Sequence, residues 1–139
     1  MPAARHVAAM EPVPTPYEEL GGDPVVRAIV RQFYDRMDTL PEAASIRAMH
    51  AEDLSEAREK LFDFLSGWLG GPQRYVEKHG HPRLRARHLP FRIATPEAEA
   101  WMLCMRGALE AEVPDAALRA QVERALERLA GHMRNTEDP

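Results

Sequence analysis

The amino-acid sequence predicts an all-α protein, on three observations. Apolar residues recur every three or four positions along most of the chain, which is the period of an amphipathic helix. No segment alternates apolar and polar residues over the length of a strand. Glycine and proline stand between the apolar stripes, where helices end. With 139 residues, 45% of them hydrophobic, the chain is long enough for one domain with its own core.

The first long helix is predicted over residues 23–38. Its N-cap is expected at Asp23, because a short acidic side chain followed by proline is typical of a helix start. A shorter helix is predicted over residues 42–49. The apolar stripe of the long helix consists of Val26, Ile29, Val30, Phe33 and Met37.

The middle of the chain predicts one more long helix and then a loop-rich stretch. The helix begins at Asp53 or Ser55 and ends at the Gly-Gly-Pro sequence starting at Gly70, since proline cannot continue it. Residues 73–83 are interrupted by glycine and proline and are expected to form a loop or short turns. Residues 84–88 predict a short helix that stops before a proline. Long ordered loops are often functional, so this stretch is expected to form the wall of a pocket.

Two further helices complete the prediction. One starts at Thr95 as N-cap, and the last starts at Pro114-Asp115. Their lengths and the loop-rich centre do not suit an up-and-down bundle, which prefers similar helices and short connections. The two apolar stripes are Trp101, Cys104, Met105, Ala108 and Leu109, and then Leu118, Val122, Leu126, Leu129 and Met133.

Composition excludes several classes of protein. The formal net charge is −4 and no block of lysine and arginine stands out, which argues against a nucleic-acid partner. No apolar run is as long as a membrane span requires. Residues 1–16 are expected to be a flexible N-terminal extension without a signal peptide, and residues 135–139 a C-terminal tail. The single cysteine, Cys104, cannot form an intrachain disulfide, which suits a cytoplasmic protein.

The histidine in the stretch RLRARHLPFRI, His88, is the main candidate for chemistry. Surface exposure and packing in the core are the ordinary roles for such a residue. A zinc site with His79 and His81 is a further reading, but structural zinc sites usually have four ligands that include cysteines. A single neutral imidazole in an apolar cleft can also hold haem iron and leave the other axial position open.

Nearby cations and aromatic donors are compatible with that last alternative. Lys60, Arg85 and Arg87 could pair with the two haem propionates, although solvated surface charge is the plainer role. Tyr34 and Trp101 lie on or beside helix stripes and could simply belong to the core. Each also carries a polar donor that needs a partner when buried, and such a donor could hydrogen-bond a diatomic ligand.

Several motifs, taken together, give the chain a family resemblance. Trp101 follows His88 by thirteen residues, and the matching segments run from about Tyr17 to Met133. They are YEELGG from Tyr17, FYDRM from Phe33, AMHAEDL from Ala48, LSGWLGGPQRY from Leu65 and HPRLRARHLPFRI from His81. In combination they resemble the truncated haemoglobins, and specifically the second group of that family.

The resemblance implies a fold, a cofactor and a metal ligand. It implies a truncated-globin, two-over-two helical sandwich at residues 17–134, enclosing a non-covalent haem b. By match of motif, His88 is the proximal ligand of the iron. Tyr34 and Trp101 are the distal aromatic residues. His50 falls at a distal position where the family varies, and its orientation is left open.

The resemblance also assigns the remaining pocket positions. Leu54, Leu61 and Phe91 match apolar residues of the pocket. Lys60, Tyr75 and Arg87 match residues that reach the propionates. Ala57 stands where ordinary globins keep a distal histidine, so that position offers no hydrogen bond to a ligand. Ala51 departs from the pattern, since proline is expected there, which makes the aim of His50 less certain.

The function implied is binding of O₂, CO and NO at ferrous iron. Hydrogen bonds from Tyr34, Trp101 and His50 would slow O₂ release, which suits sensing or chemistry better than oxygen transport. One alternative is a redox enzyme, an NO dioxygenase serving nitric oxide detoxification or a peroxidase-like protein, with a separate reductase. The other is a haem-free helical interaction module. A monomer or a homodimer is expected, and the physiological ligand is left open.

Overall fold

The computed structural model describes residues 13–138, and within them it contains helices and loops but no strand. The all-α prediction is therefore confirmed. No described helix is both long enough and apolar enough to cross a membrane. The helices are α1 (Pro16–Leu20), α2 (Asp23–Thr39), a 3₁₀ turn (Pro41–Ala43), α3 (Ala44–Arg47), α4 (Ser55–Trp68), α5 (Arg74–His79), α6 (Leu84–His88), α7 (Thr95–Glu112) and α8 (Ala116–His132).

The four long helices form two layers. The main contact joins α2 to α7, while α4 packs beside α2 and α8 beside α7. The predicted apolar stripes face this interior, and burial of each large side chain contributes about 1.5–3 kcal/mol. The largest fully buried side chains are Phe33, Met37, Met105, Leu109 and Leu126. These residues make α2, α7 and α8 the frame of the molecule.

Two predicted N-caps are displaced by one residue. Asp23 and Thr95 are the first residues of α2 and α7, and the residues before them occupy the cap positions. Instead of capping their helices, both side chains form hydrogen bonds with residues distant in the sequence. The Asp23 carboxylate accepts hydrogen bonds from Arg74, and the Thr95 hydroxyl donates to Asp138. The sequence could not show these partners, because they lie about forty to fifty residues away.

The central stretch is more helical than predicted. Residues 73–83, expected to be a loop or short turns, contain the six-residue helix α5. A helix of this length is too short to show an apolar period, and tertiary packing rather than propensity stabilises it. Lys78 of α5 donates to Asp63 of α4 at 2.8 Å, which joins the two helices. Two other short helices agree with prediction: α6, and the region over 42–49, which forms the 3₁₀ turn and α3.

The glycine motifs bring α1 against the end of α4. Gly21 and Gly22 have φ of 114° and 75°, a left-handed conformation that glycine adopts without strain, and they turn the chain into α2. A Cβ at Gly71 would lie 2.6 Å from ring carbons of Tyr17, so only glycine fits there. The Tyr17 amide donates to the carbonyl of Leu69 at 3.0 Å. These contacts explain why two distant glycine pairs belong to one pattern.

Residues 1–12 of the expected N-terminal extension, His6 among them, lie outside the described part of the chain. Thr15 and Pro16, at the end of that extension, belong to α1 and its cap. The Thr15 hydroxyl accepts from the Glu18 amide and the Glu18 carboxylate accepts from the Thr15 amide, so the two residues form a capping box.

Asp23 links three parts of the chain through one carboxylate. Its two oxygens accept hydrogen bonds from Arg74 at 2.8 and 2.7 Å, and one of them also accepts the Tyr17 hydroxyl. The Arg74 guanidinium and then the Tyr17 hydroxyl lower the pKa of Asp23. The same carboxylate raises the pKa of Tyr17. Asp23 therefore holds α1, α2 and α5 together through its charged form.

We expect Asp23→Ala to destabilise the protein by about 1 kcal/mol at neutral pH, a modest value because both partners are partly exposed. Because folding lowers the pKa of Asp23, its contribution is complete above the unfolded pKa of about 3.9 and is lost as the pH falls through the folded pKa. The difference between wild type and variant should therefore shrink in acid. Urea unfolding measured from neutral to acidic pH tests this.

The control is Asp35→Ala on the same helix. Asp35 is exposed, and its carboxylate forms no salt bridge within residues 13–138. Equal losses of stability in the two variants, or a difference that does not depend on pH, would contradict the role given to Asp23.

Candidate functional site

A cavity of about 510 Å³ lies between the helical layers and the central short helices. Its volume is in the range of sites that enclose a large organic ligand. Apolar side chains from α3, α4, α7 and α8 form most of its wall, and polar side chains reach it from α2, α4, α5, α6, α7 and the turn after α3. The loop-rich centre of the chain is therefore part of a pocket wall, as expected.

The structure brings eight of the ten predicted site residues to this cavity. They are Tyr34, His50, Lys60, Leu61, Tyr75, Arg87, His88 and Trp101. The remaining two, Leu54 and Phe91, do not line it. Leu54 is buried in the core, and Phe91 is 39% exposed on the surface. The resemblance fixed their place along the chain but not the direction of their side chains.

His88 is held by its own helix. Its Nδ1 lies 2.6 Å from the carbonyl oxygen of Leu84, one turn earlier in α6. A carbonyl oxygen only accepts, so Nδ1 carries the proton and donates it. A neutral imidazole in this tautomer keeps its lone pair on Nε2, the state of a histidine that binds a metal through Nε2.

A shared zinc site with His79 and His81 finds no support in the geometry. Neither residue lines the cavity. The His79 ring packs against Tyr75, with centroids 4.8 Å apart, and the His81 ring accepts from the Arg83 amide at 3.2 Å. In the described part of the chain, no three His, Cys, Asp or Glu side chains are placed to share a metal ion.

Two aromatic donors line the cavity and share one neighbour. The Phe33 ring lies 4.9 Å from the Tyr34 ring and 5.0 Å from the Trp101 ring, between centroids. Tyr34 is 5% exposed, and among residues 13–138 its hydroxyl reaches only the Ala57 carbonyl, at 3.4 Å, which is long for a hydrogen bond. Burial raises the pKa of Tyr34 well above its usual range, so the phenol keeps its proton. The hydroxyl is therefore available to a ligand.

His50 faces the cavity, but as an acceptor. Its ring lies 5.9 Å from that of Tyr34, and its Nδ1 donates to the carbonyl of Ile46 at 2.8 Å. With Nδ1 committed to that bond, the neutral ring presents only the lone pair of Nε2. In this tautomer the neutral His50 ring would accept a hydrogen bond from a ligand, which bears on the orientation that the sequence left open.

The turn after His50 is held in place although it lacks the expected proline at Ala51. The guanidinium of Arg47 donates to the carbonyls of Ala51 and Glu52 at 2.9 and 2.8 Å, and to the Asp38 carboxylate at 2.9 Å. These three bonds fix the turn that a proline ring would otherwise stiffen, so the position of His50 beside the turn is fixed without the proline.

The lining carries two cationic side chains, Lys60 and Arg87, and one acidic side chain, Glu97. Lys60 and Arg87 both line the cavity and are exposed. The Arg87 Nε donates to the carbonyl of Pro82 at 2.8 Å, and its guanidinium lies 5.9 Å from the ring centroid of Tyr75. Arg85, the third candidate, does not line the cavity. Two cations and one phenol can therefore bind acidic groups of a ligand.

Other apolar lining residues were not predicted as residues of the site. Their apolar spacing shows that they face inward but not that they border an open space. They are Ile46, Met49, Phe64, Leu129 and Met133. Glu97 is the polar exception, and its carboxylate accepts from the Ala94 amide at 2.7 Å.

Comparison with known proteins shows the family to which this architecture belongs. The model of the family described as bacterial-like globin matches residues 15–135. The chain belongs to the bacterial-like globin family. Membership implies a haem protein that binds gases.

Three relatives show which globins this one resembles. The group 2 truncated haemoglobin YjbI of Bacillus subtilis is 39% identical over 120 residues, covering 86% of this chain and 88% of the relative. The group II 2-on-2 haemoglobin of Agrobacterium tumefaciens has a TM-score of 0.87 and 49% identity, covering 93% and 99%. A truncated oxygen-avid haemoglobin of Bacillus subtilis has a TM-score of 0.80 and 38% identity, covering 88% and 100%. The predicted family and two-over-two fold are confirmed.

The lining of this globin fits a haem. The cavity is mainly apolar, as the porphyrin requires, and it contains an imidazole, His88, whose Nδ1 is already anchored. Lys60 and Arg87 are suited to the acidic edge of the cofactor. Tyr34 and Trp101 leave polar groups for a ligand inside the same cavity.

Proposed function

We propose that the protein is a non-covalent haem b protein that binds diatomic ligands at iron held by His88 and releases O₂ slowly. When bound, haem supplies a ferrous iron that takes up O₂, CO or NO. The observation that carries the proposal is the anchored imidazole of His88 in a large, mainly apolar cavity that Tyr34 and Trp101 also line.

His88 would hold the iron through Nε2. The hydrogen bond from Nδ1 to the Leu84 carbonyl fixes the plane of the ring and makes Nε2 a stronger ligand. Lys60 and Arg87 would pair with the propionates, and the Tyr75 hydroxyl would hydrogen-bond one of them. These three residues would set how the haem enters and which way it faces.

Tyr34 and Trp101 would stabilise a polar diatomic ligand by donating hydrogen bonds to it. Each such bond is worth about 1 kcal/mol, roughly fivefold in the release rate. Neutral His50 would accept from the Tyr34 hydroxyl or from a protonated ligand instead of donating. The oxygen-avid relative from Bacillus subtilis supports slow release. Slow release favours sensing or chemistry over oxygen transport.

Substitution of His88 tests the ligand assignment. His88→Ala should abolish stable haem uptake, because it removes the imidazole through which the protein would hold the iron. The measurement is the optical spectrum of the reduced, haem-reconstituted protein before and after CO. The wild type should show a histidine-type Soret band that shifts with CO.

The control for that substitution is His132→Ala, which removes an exposed imidazole at the end of α8 and should leave the spectrum unchanged. A histidine-type band that persists in His88→Ala would refute the assignment. A wild-type protein that stays colourless with haem would instead favour the haem-free interaction module.

The double substitution Tyr34→Phe with Trp101→Phe should speed O₂ release at least tenfold, since it removes two donors worth roughly fivefold each. Stopped-flow displacement of O₂ by CO measures the rate. Tyr75→Phe is the matched control, because it removes the same hydroxyl from the proposed propionate side. Equal off-rates in the wild type and the double variant would show that neither donor reaches the ligand.

For the tyrosine substitution, a faster O₂ release rate should not reflect a loss of folding. The Tyr34 hydroxyl makes only its 3.4 Å contact with Ala57, and the phenylalanine ring keeps the packing against Phe33. Tyr34→Phe on its own should therefore keep the thermal stability of the wild type within a few degrees, and it isolates the effect of that hydroxyl on the release rate.

A second candidate function is suggested by the same two donors: NO dioxygenation, in which NO, O₂ and one electron give nitrate. A separate one-electron reductase would have to supply the electron. Steady consumption of NO over many turnovers with excess reductant would favour this enzyme over a binding protein. A single stoichiometric burst would favour simple binding, and peroxide consumption under the same conditions would indicate a peroxidase-like activity.

A further inference from the structure

The chain beyond α8 returns to the segment that carries His88. The amides of Asn135 and Thr136 donate to the carbonyl of Ile93 at 2.8 and 3.2 Å. The Asn135 side chain makes three more bonds to the same segment. Its Oδ1 accepts from the Ile93 amide at 3.0 Å, and its Nδ2 donates to the carbonyls of His88 and Phe91 at 3.1 and 2.9 Å.

The segment around His88 has few other restraints from the protein. Helix α6 has five residues and buries none of them, and its N-cap Arg83 makes no side-chain capping bond and has φ of 47°. Leu89 and Phe91, which follow, are exposed. Such a short helix is marginal on its own, and its last carbonyls lack partners within the helix. The His88 carbonyl accepts from the Phe91 amide at 3.0 Å within the same segment, and Asn135 ties that carbonyl to the chain beyond α8.

We propose that Asn135 is a positioning residue for the haem ligand His88, an inference that rests on the proposed function. Leu84 holds the imidazole ring through Nδ1, and Asn135 holds the backbone of the same residue through its carbonyl. Together they restrain the ring and the backbone of His88. Asn135 has no contact with the reacting ligand and acts through His88.

A general role in fastening the chain end is the rival explanation, and the structure offers a control for it. Asp138 accepts from the amide and hydroxyl of Thr95 at 2.9 and 3.0 Å. These bonds fasten the same stretch of chain to the start of α7 and do not touch residues 88–93. Asp138→Ala therefore loosens the chain end and leaves the Asn135 side-chain bonds in place.

Two substitutions at Asn135 distinguish the hydrogen bonds that its side chain donates from those that it accepts. Asn135→Ala removes the three side-chain bonds to residues 88–93, together with the bond that Oδ1 accepts from the Thr136 hydroxyl at 2.9 Å. Asn135→Asp keeps an acceptor for the Ile93 amide but loses the donor, and it places a carboxylate against the carbonyls of His88 and Phe91. It keeps the shape of the side chain and the bond from the Ile93 amide, so it keeps the test open if Asn135→Ala folds poorly.

The experiment uses the full chain and three readouts. Amide hydrogen exchange of residues 84–93 in the haem-free protein reports the segment without the cofactor. The iron–histidine stretching band of the reduced protein reports the orientation of the His88 ring relative to the iron. The rate of haem transfer to apomyoglobin reports how tightly the protein retains haem. For both Asn135 variants we expect exchange and haem loss at least fivefold faster, and a shifted or broadened stretching band. Asp138→Ala should match the wild type in all three.

Two results would overturn the proposal. One is an unchanged stretching band and haem-loss rate in both Asn135 variants. The other is an equal change in Asp138→Ala, which would mean that Asn135 only fastens the chain end. Failure of the proposed function looks different, because the wild type itself would then show no haem uptake and no iron–histidine band. The exchange readout would still report whether Asn135 holds the segment.

Discussion

The packing of α2 against α7 is the constraint on which the rest of the structure depends. Phe33 is fully buried at this contact and touches the rings of both Tyr34 and Trp101. The interior is close-packed there, so neither ring can turn without displacing a neighbour. Two polar groups are therefore held at the edge of an apolar cavity by a residue that has no chemistry of its own.

The two sides of the cavity are built by different means. Tyr34 and Trp101 belong to long helices that bury wide apolar stripes, so packing fixes them. His88 belongs to a five-residue helix that buries nothing, and hydrogen bonds to Leu84 and Asn135 fix it instead. Packing resists small shifts in every direction, whereas a few hydrogen bonds resist them only along their axes. The His88 side is therefore the more adjustable of the two.

The sequence predicted much of this arrangement, and the residues it missed share a physical cause. Apolar periodicity located every long helix, because the stripe and the buried face are the same residues. It missed α5, which is too short to show a period. The caps of α2 and α7 were predicted one residue too late, at Asp23 and Thr95, because the side chains of both have distant partners. The motifs located the cavity, but not that Leu54 and Phe91 point away from it. Nothing in the sequence around Asn135 indicates hydrogen bonds to a segment more than forty residues earlier.

That separation has a consequence for biosynthesis. Asn135 follows His88 by 47 residues, so the ribosome makes the segment that carries His88 well before the residue that restrains it. At ordinary elongation speeds the delay is roughly 2–10 s, which is long compared with helix formation. During that interval the nascent chain holds an imidazole on an unanchored turn. The mature geometry of residues 88–93 would appear only when the chain after α8 has emerged and packed against them.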